Sequence, residues 1–275
     1  MTGTVPFAVP AEVLREVRTR WPDTADAWVN SAPAQLQRFC DRYQATPTRV
    51  MRSRYGLVVK ADSPSGPLIF RYSPDPDGEP QARVAAALAA LDVSPRLHET
   101  TTTPYGTTTV LDCITPGVPI GDQDTAPSPD HLVAMLRPMT GQPAPHGLPS
   151  VLDWIEERLT DDRLTDLAPG RTIAPPDERR AALALLHDLA SDHVPALCHG
   201  DASPWNILAG ADHLYLIDPR GVTGELAYDV AVIALKAERF APASAGRTGA
   251  VLAKDLALPR DRMEAWVRVA HAARV

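Results

Sequence analysis

The chain has 275 residues, of which 44% are apolar and 22% charged, a composition ordinary for a globular protein. Its 28 prolines and 16 glycines stay below the range typical of disordered chains, and they indicate many loops and helix starts. The formal net charge of −7 argues against a nucleic-acid-binding scaffold, which is usually basic, and favours a cationic ligand only weakly.

Cysteine usage and the chain start bear on the compartment. Cys40, Cys113 and Cys198 are far apart and form no CxxC pair, which favours a reduced protein over a disulfide scaffold. The first ten residues lack the pattern of a signal peptide, and no run reaches the roughly 18 apolar residues of a membrane span. We therefore expect a cytoplasmic protein with neither nucleic acid nor membrane as a partner.

The first half of the chain is typical of helices followed by a small sheet. Residues 10–44 carry apolar side chains at helical spacing, which predicts two helices. Short β-branched or apolar runs then predict three antiparallel strands, at 48–52, 57–61 and 68–72. A helix is expected to begin near Pro80, and a fourth strand at 108–113 ends this half. We place the boundary of the first, β-rich domain at 1–114.

Residues 115–275 are predicted to form a mainly helical second domain. Helical patterns occur near 131–137, at 149–160 and 177–192, from about residue 225, and over 263–275. Between the third and fourth of these helices, the segment 198–218 contains a loop and a short apolar strand. The candidate chemistry is concentrated in that segment.

Three polar residues in the segment have a spacing with chemical meaning. Asp201 is followed by Asn206 and then by Asp218, and apolar runs beside them would fix their backbone in a core. Phosphoryl transfer needs such a set. One carboxylate orients the acceptor hydroxyl and takes its proton, while an amide oxygen and a second carboxylate hold Mg²⁺ against the phosphates. Hard oxygen ligands suit Mg²⁺ and argue against zinc.

The same segment resembles the kinase-like phosphotransferases. HGDASPWN, residues 199–206, is similar to their catalytic loop, and IDP, residues 217–219, is similar to their metal-binding loop. The longer string IDPRGVTGELAYDVA resembles the streptomycin 6-phosphotransferase and hydroxyurea-kinase branch of the aminoglycoside phosphotransferase family. The order of strands and helices in the first domain is also similar, so the resemblance covers most of the chain.

The resemblance implies a role for each residue of the motifs. Asp201 would be the catalytic base, and Asn206 and Asp218 would hold Mg²⁺ and, through it, ATP. His199 would support the loop, and Asp229 would brace it from the start of a helix.

Nucleotide contacts in the first domain follow from the same resemblance. The strand end 111–114 would be the hinge, where the backbone of Asp112 and Ile114 meets the adenine edge. The strand position that usually holds a phosphate-binding lysine is Arg71 here, and arginine differs from lysine in reach and geometry. The helical glutamate that usually pairs with it has no clear counterpart, because Glu79 lies close to the helix start.

Several of these residues have a purely structural alternative. HxDxxxxN occurs by chance, and only its combination with IDP and AYD carries the kinase prediction. Arg71 is either a phosphate contact or a solvated strand residue, and Trp205 either packs under the loop or lines the substrate site. Glu225 lies close enough to the metal loop in sequence to meet an amine or hydroxyl of the acceptor. Walker, nucleophile-elbow and HExxH motifs are absent from the sequence, which removes the usual rival enzyme classes.

The sequence therefore predicts an α+β, two-lobed protein-kinase-like fold that phosphorylates a hydroxyl of a small molecule with ATP and Mg²⁺. Fold analogy suggests an antibiotic or its precursor, with a cationic acceptor as one alternative. A metabolic sugar or amino-alcohol kinase and a catalytically weak pseudokinase are the rival functions. The short segment between Asp218 and Asp229 leaves no room for a peptide-docking segment, which argues against a protein substrate. We expect a monomer or weak homodimer.

Overall fold

The computed structural model describes residues 8–124, 126–167 and 170–275. Residues 1–7, which make up most of the segment tested for a signal peptide, lie outside the described residues. No helix within the described ranges is both long and apolar enough to cross a membrane.

The chain divides into two compact units. One comprises the chain up to Ala82 together with Pro95–Cys113, and the other comprises Arg83–Ser94 together with Ile114–Val275. The predicted boundary between residues 114 and 115 stays a prediction, and the observed units differ from it because Arg83–Ser94 belongs to the second unit.

Two helices open the first unit, as predicted. They are α1 (Ala11–Arg20) and α2 (Pro22–Arg42), and Pro22 occupies the first turn of α2, where a missing N–H is tolerated. Trp28 and Leu36 of α2 are fully buried in one apolar core with strand residues such as Phe70. Burial of one such side chain stabilises by roughly 1.5–3 kcal/mol, so this core fixes α2 more than helix propensity does.

The sheet of the first unit has five antiparallel strands in the order β1-β2-β3-β5-β4. They are β1 (Thr46–Met51), β2 (Leu57–Ser63), β3 (Gly66–Ser73), β4 (Leu97–Thr103) and β5 (Gly106–Asp112), and helix α3 (Gly78–Ala89) follows β3. The four predicted strands are confirmed, and β4 is additional. Its sequence LHETTTT shows no alternation of apolar and polar residues, because it lies at the sheet edge with half-exposed side chains.

The second unit is mainly helical. Its helices are α4 (Pro129–Leu136), α5 (Val151–Thr160), α6 (Pro176–Ala190), α7 (Leu226–Ala237), α8 (Pro242–Asp255) and α9 (Arg260–Ala272). Its short strands pair antiparallel: β6 (Pro116–Pro119) with β8 (Ile207–Gly210), β8 with β9 (Leu214–Leu216), and β7 (Ala196–Leu197) with β10 (Thr223–Gly224). The predicted helices are confirmed, whereas α8, rich in Ala and Gly, was not predicted.

Helix α7 forms the centre of the second core. All its residues from Leu226 to Leu235 are buried, and α8 and α9 pack against it. A helix that is apolar on every side is stable only inside a core. Because this core fixes α7, it also fixes Asp229 in its first turn and Lys236 in its last. The predicted α+β class, with a β-rich first part and a helical second part, is confirmed.

Candidate active site

The loop between β7 and β8 is held by a buried carboxylate. Asp229 is fully buried. Its Oδ2 accepts the amide N–H of His199 at 2.8 Å, and its Oδ1 accepts that of Gly200 at 2.9 Å. Burial raises the pKa of Asp229, while His199 and the two amide hydrogen bonds act to lower it. Helix α7 therefore determines the backbone path of the loop.

Gly200 lets the loop turn at this point. Its φ is +80°, a conformation that residues with a Cβ rarely adopt. A Cβ added here would also lie 2.7 Å from Val222 Cγ2 and 2.9 Å from Arg220 Cβ. The glycine of the HGD sequence is therefore required by both backbone conformation and space.

His199 connects the catalytic loop to the metal loop. Its ring is fully buried, Nε2 donates to the carbonyl of Ile217 at 2.8 Å, and Nδ1 accepts the amide N–H of Asp201 at 3.2 Å. These two bonds fix the neutral tautomer with hydrogen on Nε2. Burial lowers the pKa of His199, which keeps the ring neutral. The geometry gives His199 a structural role.

Asp201 and Asn206 are joined directly. Asn206 Nδ2 donates to the Asp201 carbonyl at 2.9 Å and to its Oδ2 at 3.3 Å. Since the amide nitrogen is used in this way, Asn206 Oδ1 is the atom left to coordinate a cation. The Asn206 carbonyl also accepts the N–H of Ile217 at 2.9 Å, so the residue before Asp218 is hydrogen-bonded to the catalytic loop.

The oxygen donors fit a magnesium ion that is shared with phosphates. Asp218 has a φ of +54°, a left-handed conformation that aspartate tolerates better than most residues. Across the described ranges no group of three or more His, Cys, Asp or Glu side chains forms a metal cluster. One carboxylate and one amide oxygen suit Mg²⁺, which usually takes its other ligands from water and substrate phosphates. Asn206 and Asp218 are therefore suitable for the predicted ion.

Two cations that the sequence analysis missed flank Asp201. Lys236 Nζ donates to Asp201 Oδ1 at 2.6 Å, and Arg220 Nη2 lies 3.8 Å from Asp201 Oδ2. Burial acts to raise the pKa of Asp201, but Lys236 and Arg220 outweigh it, and the pKa lies below its ordinary value. Asp201 is therefore ionised at neutral pH.

A sequence signal for Lys236 existed. It follows Asp229 by seven residues on α7, which is two helical turns, so both side chains emerge on the same face. Arg220 lies two residues after Asp218, in the short segment that returns towards α7. Periodicity within α7 would have identified the lysine once Asp229 had been assigned to the catalytic loop.

Trp205 lies beside the loop with its ring partly open to solvent. The residue is 50% exposed, and a Cβ added to Gly121 would lie 2.9 Å from the indole. The indole thus packs on the Gly121 backbone and still presents a surface to solvent. A place for Trp205 in the substrate site stays a prediction.

Glu225 is engaged in an ion-pair network. Its carboxylate pairs with Arg262 of α9, with Oε1 to Nη2 at 2.9 Å, and Oε1 lies 3.2 Å from His193 Nδ1. Burial acts to raise the pKa of Glu225, but His193 and Arg262 lower it overall. Because these partners occupy the carboxylate, the structure weighs against the predicted contact of Glu225 with an acceptor.

In the first unit, Arg71 shares a sheet face with a second cation. Val59 and Phe70 face each other in the register and are fully buried, whereas their neighbours Lys60 and Arg71 are half-buried on the opposite face. Glu79 is exposed in the first turn of α3, away from the apolar middle of that helix. The structure therefore supplies two candidate phosphate-binding cations on one face.

The predicted hinge begins where β5 ends. Asp112 is the last residue of β5, its amide donates to the Arg96 carbonyl, and its Oδ1 lies 2.6 Å from His98 Nε2. The next amide, of Cys113, donates to the Pro67 carbonyl at 3.0 Å. Backbone contacts of Asp112 and Ile114 to an adenine stay a prediction.

The chain is similar to known phosphotransferases in sequence and in fold. It matches the phosphotransferase enzyme family APH over residues 55–266, a range that includes the catalytic loop and α7. A search of curated protein sequences gives no match.

Three solved structures illustrate the similarity in fold. An aminoglycoside-3'-phosphotransferase of type VIII is 17% identical with a TM-score of 0.59, over 88% of this chain and 98% of that one. APH(3'')-Id from Streptomyces rimosus, in complex with ADP and streptomycin, is 16% identical with a TM-score of 0.57, over 88% and 98%. A choline/ethanolamine kinase family protein from Mesorhizobium loti is 18% identical with a TM-score of 0.55, over 78% and 70%.

At these identities the structural similarity establishes the fold, and it confirms the predicted two-lobed, kinase-like class. The family match extends over residues 55–266, most of the chain, and it establishes the chemistry at the level of phosphoryl transfer. The chain therefore belongs to the APH family of phosphotransferase enzymes.

Proposed function

We propose that the chain transfers the γ-phosphoryl group of ATP to a hydroxyl of a small molecule, with Asp201 as the catalytic carboxylate. The observation that carries this proposal is the direct link between Asp201 and Asn206. Asp229 and His199 fix the loop that carries them, and His199 connects it to the residue before Asp218. Rigid placement of these groups is what phosphoryl transfer requires of a protein.

Asp201 acts on the acceptor. Its ionised carboxylate accepts a hydrogen bond from the acceptor hydroxyl and takes the proton as the new P–O bond forms and ADP leaves. A lowered pKa makes Asp201 a weak base. A weak base suits a loose transition state, in which bond breaking to the leaving group runs ahead of deprotonation.

The remaining residues act on the nucleotide. Asn206 Oδ1 and the Asp218 carboxylate would hold Mg²⁺, which neutralises charge on the phosphates as the bond breaks. Arg71 or Lys60 supplies a phosphate contact, and the backbone of Asp112 and Ile114 contacts the adenine.

The acceptor class rests on the fold and on one short segment. Between Asp218 and Asp229 the chain forms only β10 and the start of α7, which supports a small molecule over a peptide. The relatives named above include a streptomycin complex and a choline/ethanolamine kinase family protein, so both an antibiotic and a metabolic alcohol remain candidate acceptors. Cytoplasmic location and a monomer or weak homodimer stay predictions.

The test is transfer of radiolabel from γ-labelled ATP to a pool of hydroxylated small molecules and, separately, to a pool of proteins. We expect label on small molecules only, dependence on Mg²⁺, and a loss of roughly 10²–10⁴-fold in kcat for Asp201→Asn. Asp212→Asn is the matched control, because Asp212 is exposed on the turn between β8 and β9. Label on protein alone, or an Asp201→Asn variant as active as the control, would overturn the proposal.

A further inference from the structure

The catalytic carboxylate is paired with two cations before any substrate binds. Lys236 Nζ lies 2.6 Å from Asp201 Oδ1, and Arg220 Nη2 lies 3.8 Å from Asp201 Oδ2. The cluster therefore contains two basic side chains and one carboxylate. An acceptor that brings its hydroxyl to Asp201 therefore approaches a cationic cluster and not a bare carboxylate.

The Lys236 side chain is mostly buried, with its ammonium in contact with Asp201. The Lys236 side chain is 14% exposed and that of Asp201 is 24% exposed. Because Nζ touches Asp201 Oδ1, a molecule that hydrogen-bonds to the Asp201 carboxylate also lies close to the ammonium. An ammonium has three N–H donors and only one is needed for Asp201, so the others are suited to oxygen atoms of the acceptor.

Arg220 fixes the second charge in place. Its guanidinium lies 4.1 Å from the centre of the Trp154 ring, a favourable cation–π contact, and its backbone N–H donates to the His199 carbonyl at 2.9 Å. These contacts keep the guanidinium beside Asp201. The positive charge of the cluster is therefore built into the loop.

Three further carboxylates of this region are committed to other partners. Glu225 is paired with Arg262, and Asp229 is fully buried against backbone amides of the loop. Asp218 is assigned to Mg²⁺ in the proposed function. None of these three is therefore left to neutralise an organic amine.

We propose that Lys236 makes this enzyme select neutral or acidic hydroxylated acceptors and exclude organic cations. The proposal rests on the proposed function, because it assumes that the acceptor hydroxyl binds at Asp201. A substrate ammonium close to Lys236 and Arg220 meets like charges in a partly desolvated site, where such repulsion is much less screened than in water. Acceptor carboxylate, phosphate or hydroxyl oxygens instead gain a hydrogen bond from Lys236.

The experiment measures binding, so that it can fail independently of turnover. The melting temperature of the protein with ADP and Mg²⁺ is recorded with streptomycin as the cationic probe and gluconate as the acidic probe, at about 0.15 M salt. The variants are Lys236→Met and Lys236→Gln, which remove the charge, and Lys236→Arg, which keeps it. Lys254→Met is the matched control, because Lys254 lies in the last turn of α8 and is exposed.

The wild type, Lys254→Met and Lys236→Arg should show no rise in melting temperature with streptomycin. Lys236→Met or Lys236→Gln should gain a rise that corresponds to at least about tenfold tighter binding, and adding Asp201→Asn should remove it. Stabilisation of the wild type by streptomycin through Asp201 would overturn the proposal. So would neutral variants that melt cooperatively and gain no streptomycin binding. If the binding results with streptomycin come out as expected but no phosphoryl transfer is detected, only the proposed function is contradicted.

Discussion

Asp229 accepts the backbone N–H of His199 at 2.8 Å from the first turn of a helix that is buried on every side. The same carboxylate accepts the N–H of Gly200, so one side chain satisfies two buried donors of the catalytic loop. Each such donor left unsatisfied costs about 1–3 kcal/mol. The stability of the second unit and the geometry of the loop therefore depend on one residue.

We expect Asp229→Ala to lower the free energy of unfolding by about 2–6 kcal/mol, because it leaves both amides without an acceptor. Asp229→Asn should cost less, since its carbonyl oxygen still serves one of them. Urea unfolding of both variants beside Asp212→Ala, an exposed control, provides the measurement. A loss below about 0.5 kcal/mol for Asp229→Ala would show that water replaces the carboxylate.

Local sequence patterns predicted the catalytic loop, whereas long-range contacts were invisible to them. Asp201 and Asn206 lie on one short loop, so their spacing alone indicates that they meet. Lys236 reaches Asp201 only because the core orients α7, and a core cannot be derived from spacing. Glu225 was predicted to meet the acceptor because it lies close to the metal loop in sequence, and that spacing gave no sign of its partner Arg262, which lies far away in sequence on α9.

The sheet shows the same limit. Strands β2 and β3 alternate buried and half-buried residues, and that period predicted them. Strand β4 at the edge has no buried face, so its sequence carries no such signal. The other edge strand, β1, buries no side chain either, and its prediction came from its β-branched and apolar residues rather than from a buried face.

Asp218→Asn should weaken Mg²⁺-dependent nucleotide binding. The substitution keeps the size of the side chain and withdraws one charged oxygen ligand from a hard cation. We expect the apparent Mg²⁺ requirement of ATP turnover to rise about tenfold or more, with the melting temperature of the free protein little changed. Calorimetric titration of ATP with and without Mg²⁺ is the measurement, and Asp212→Asn is the control. Unchanged affinity and unchanged metal dependence would place the ion elsewhere.

Arg71 and Lys60 lie on the same face of the sheet, so either side chain could contact the phosphates of ATP. Comparing the kinetics of variants at the two positions identifies which one does. If Arg71 contacts the phosphates, Arg71→Ala raises the KM for ATP and lowers kcat, while Arg71→Lys retains much of the activity. Lys60→Ala should then have a smaller effect. Arg49→Ala is the matched control, because Arg49 is an exposed arginine of β1. The reverse order, with Lys60→Ala the more damaging, would assign the contact to Lys60.

The three cysteines provide separate probes of the two units. Cys113 is half-buried, whereas Cys40 in the first unit and Cys198 in the second are fully buried. Burial, with a smaller contribution from Asp41, raises the pKa of Cys40 to about 11. Burial and the neighbouring Asp229 raise the pKa of Cys198. At pH 8 both buried thiols are therefore protonated and covered, and a thiol reagent should label Cys113 first.

The reagent can label the two buried thiols only when the structure around each of them opens locally. We expect the rate of this opening to change in one unit and not in the other when Asp229 is substituted. Asp229→Ala should accelerate labelling of Cys198 at least about tenfold, because it destabilises the loop and removes a negative charge beside the sulfur. Cys40, in the core of the other unit, should keep its wild-type rate and serves as the internal control. Mass spectrometry of peptides from a timed reaction measures both rates in one sample. Equal acceleration at Cys40 and Cys198 would mean that Asp229 stabilises the whole chain as one cooperative unit.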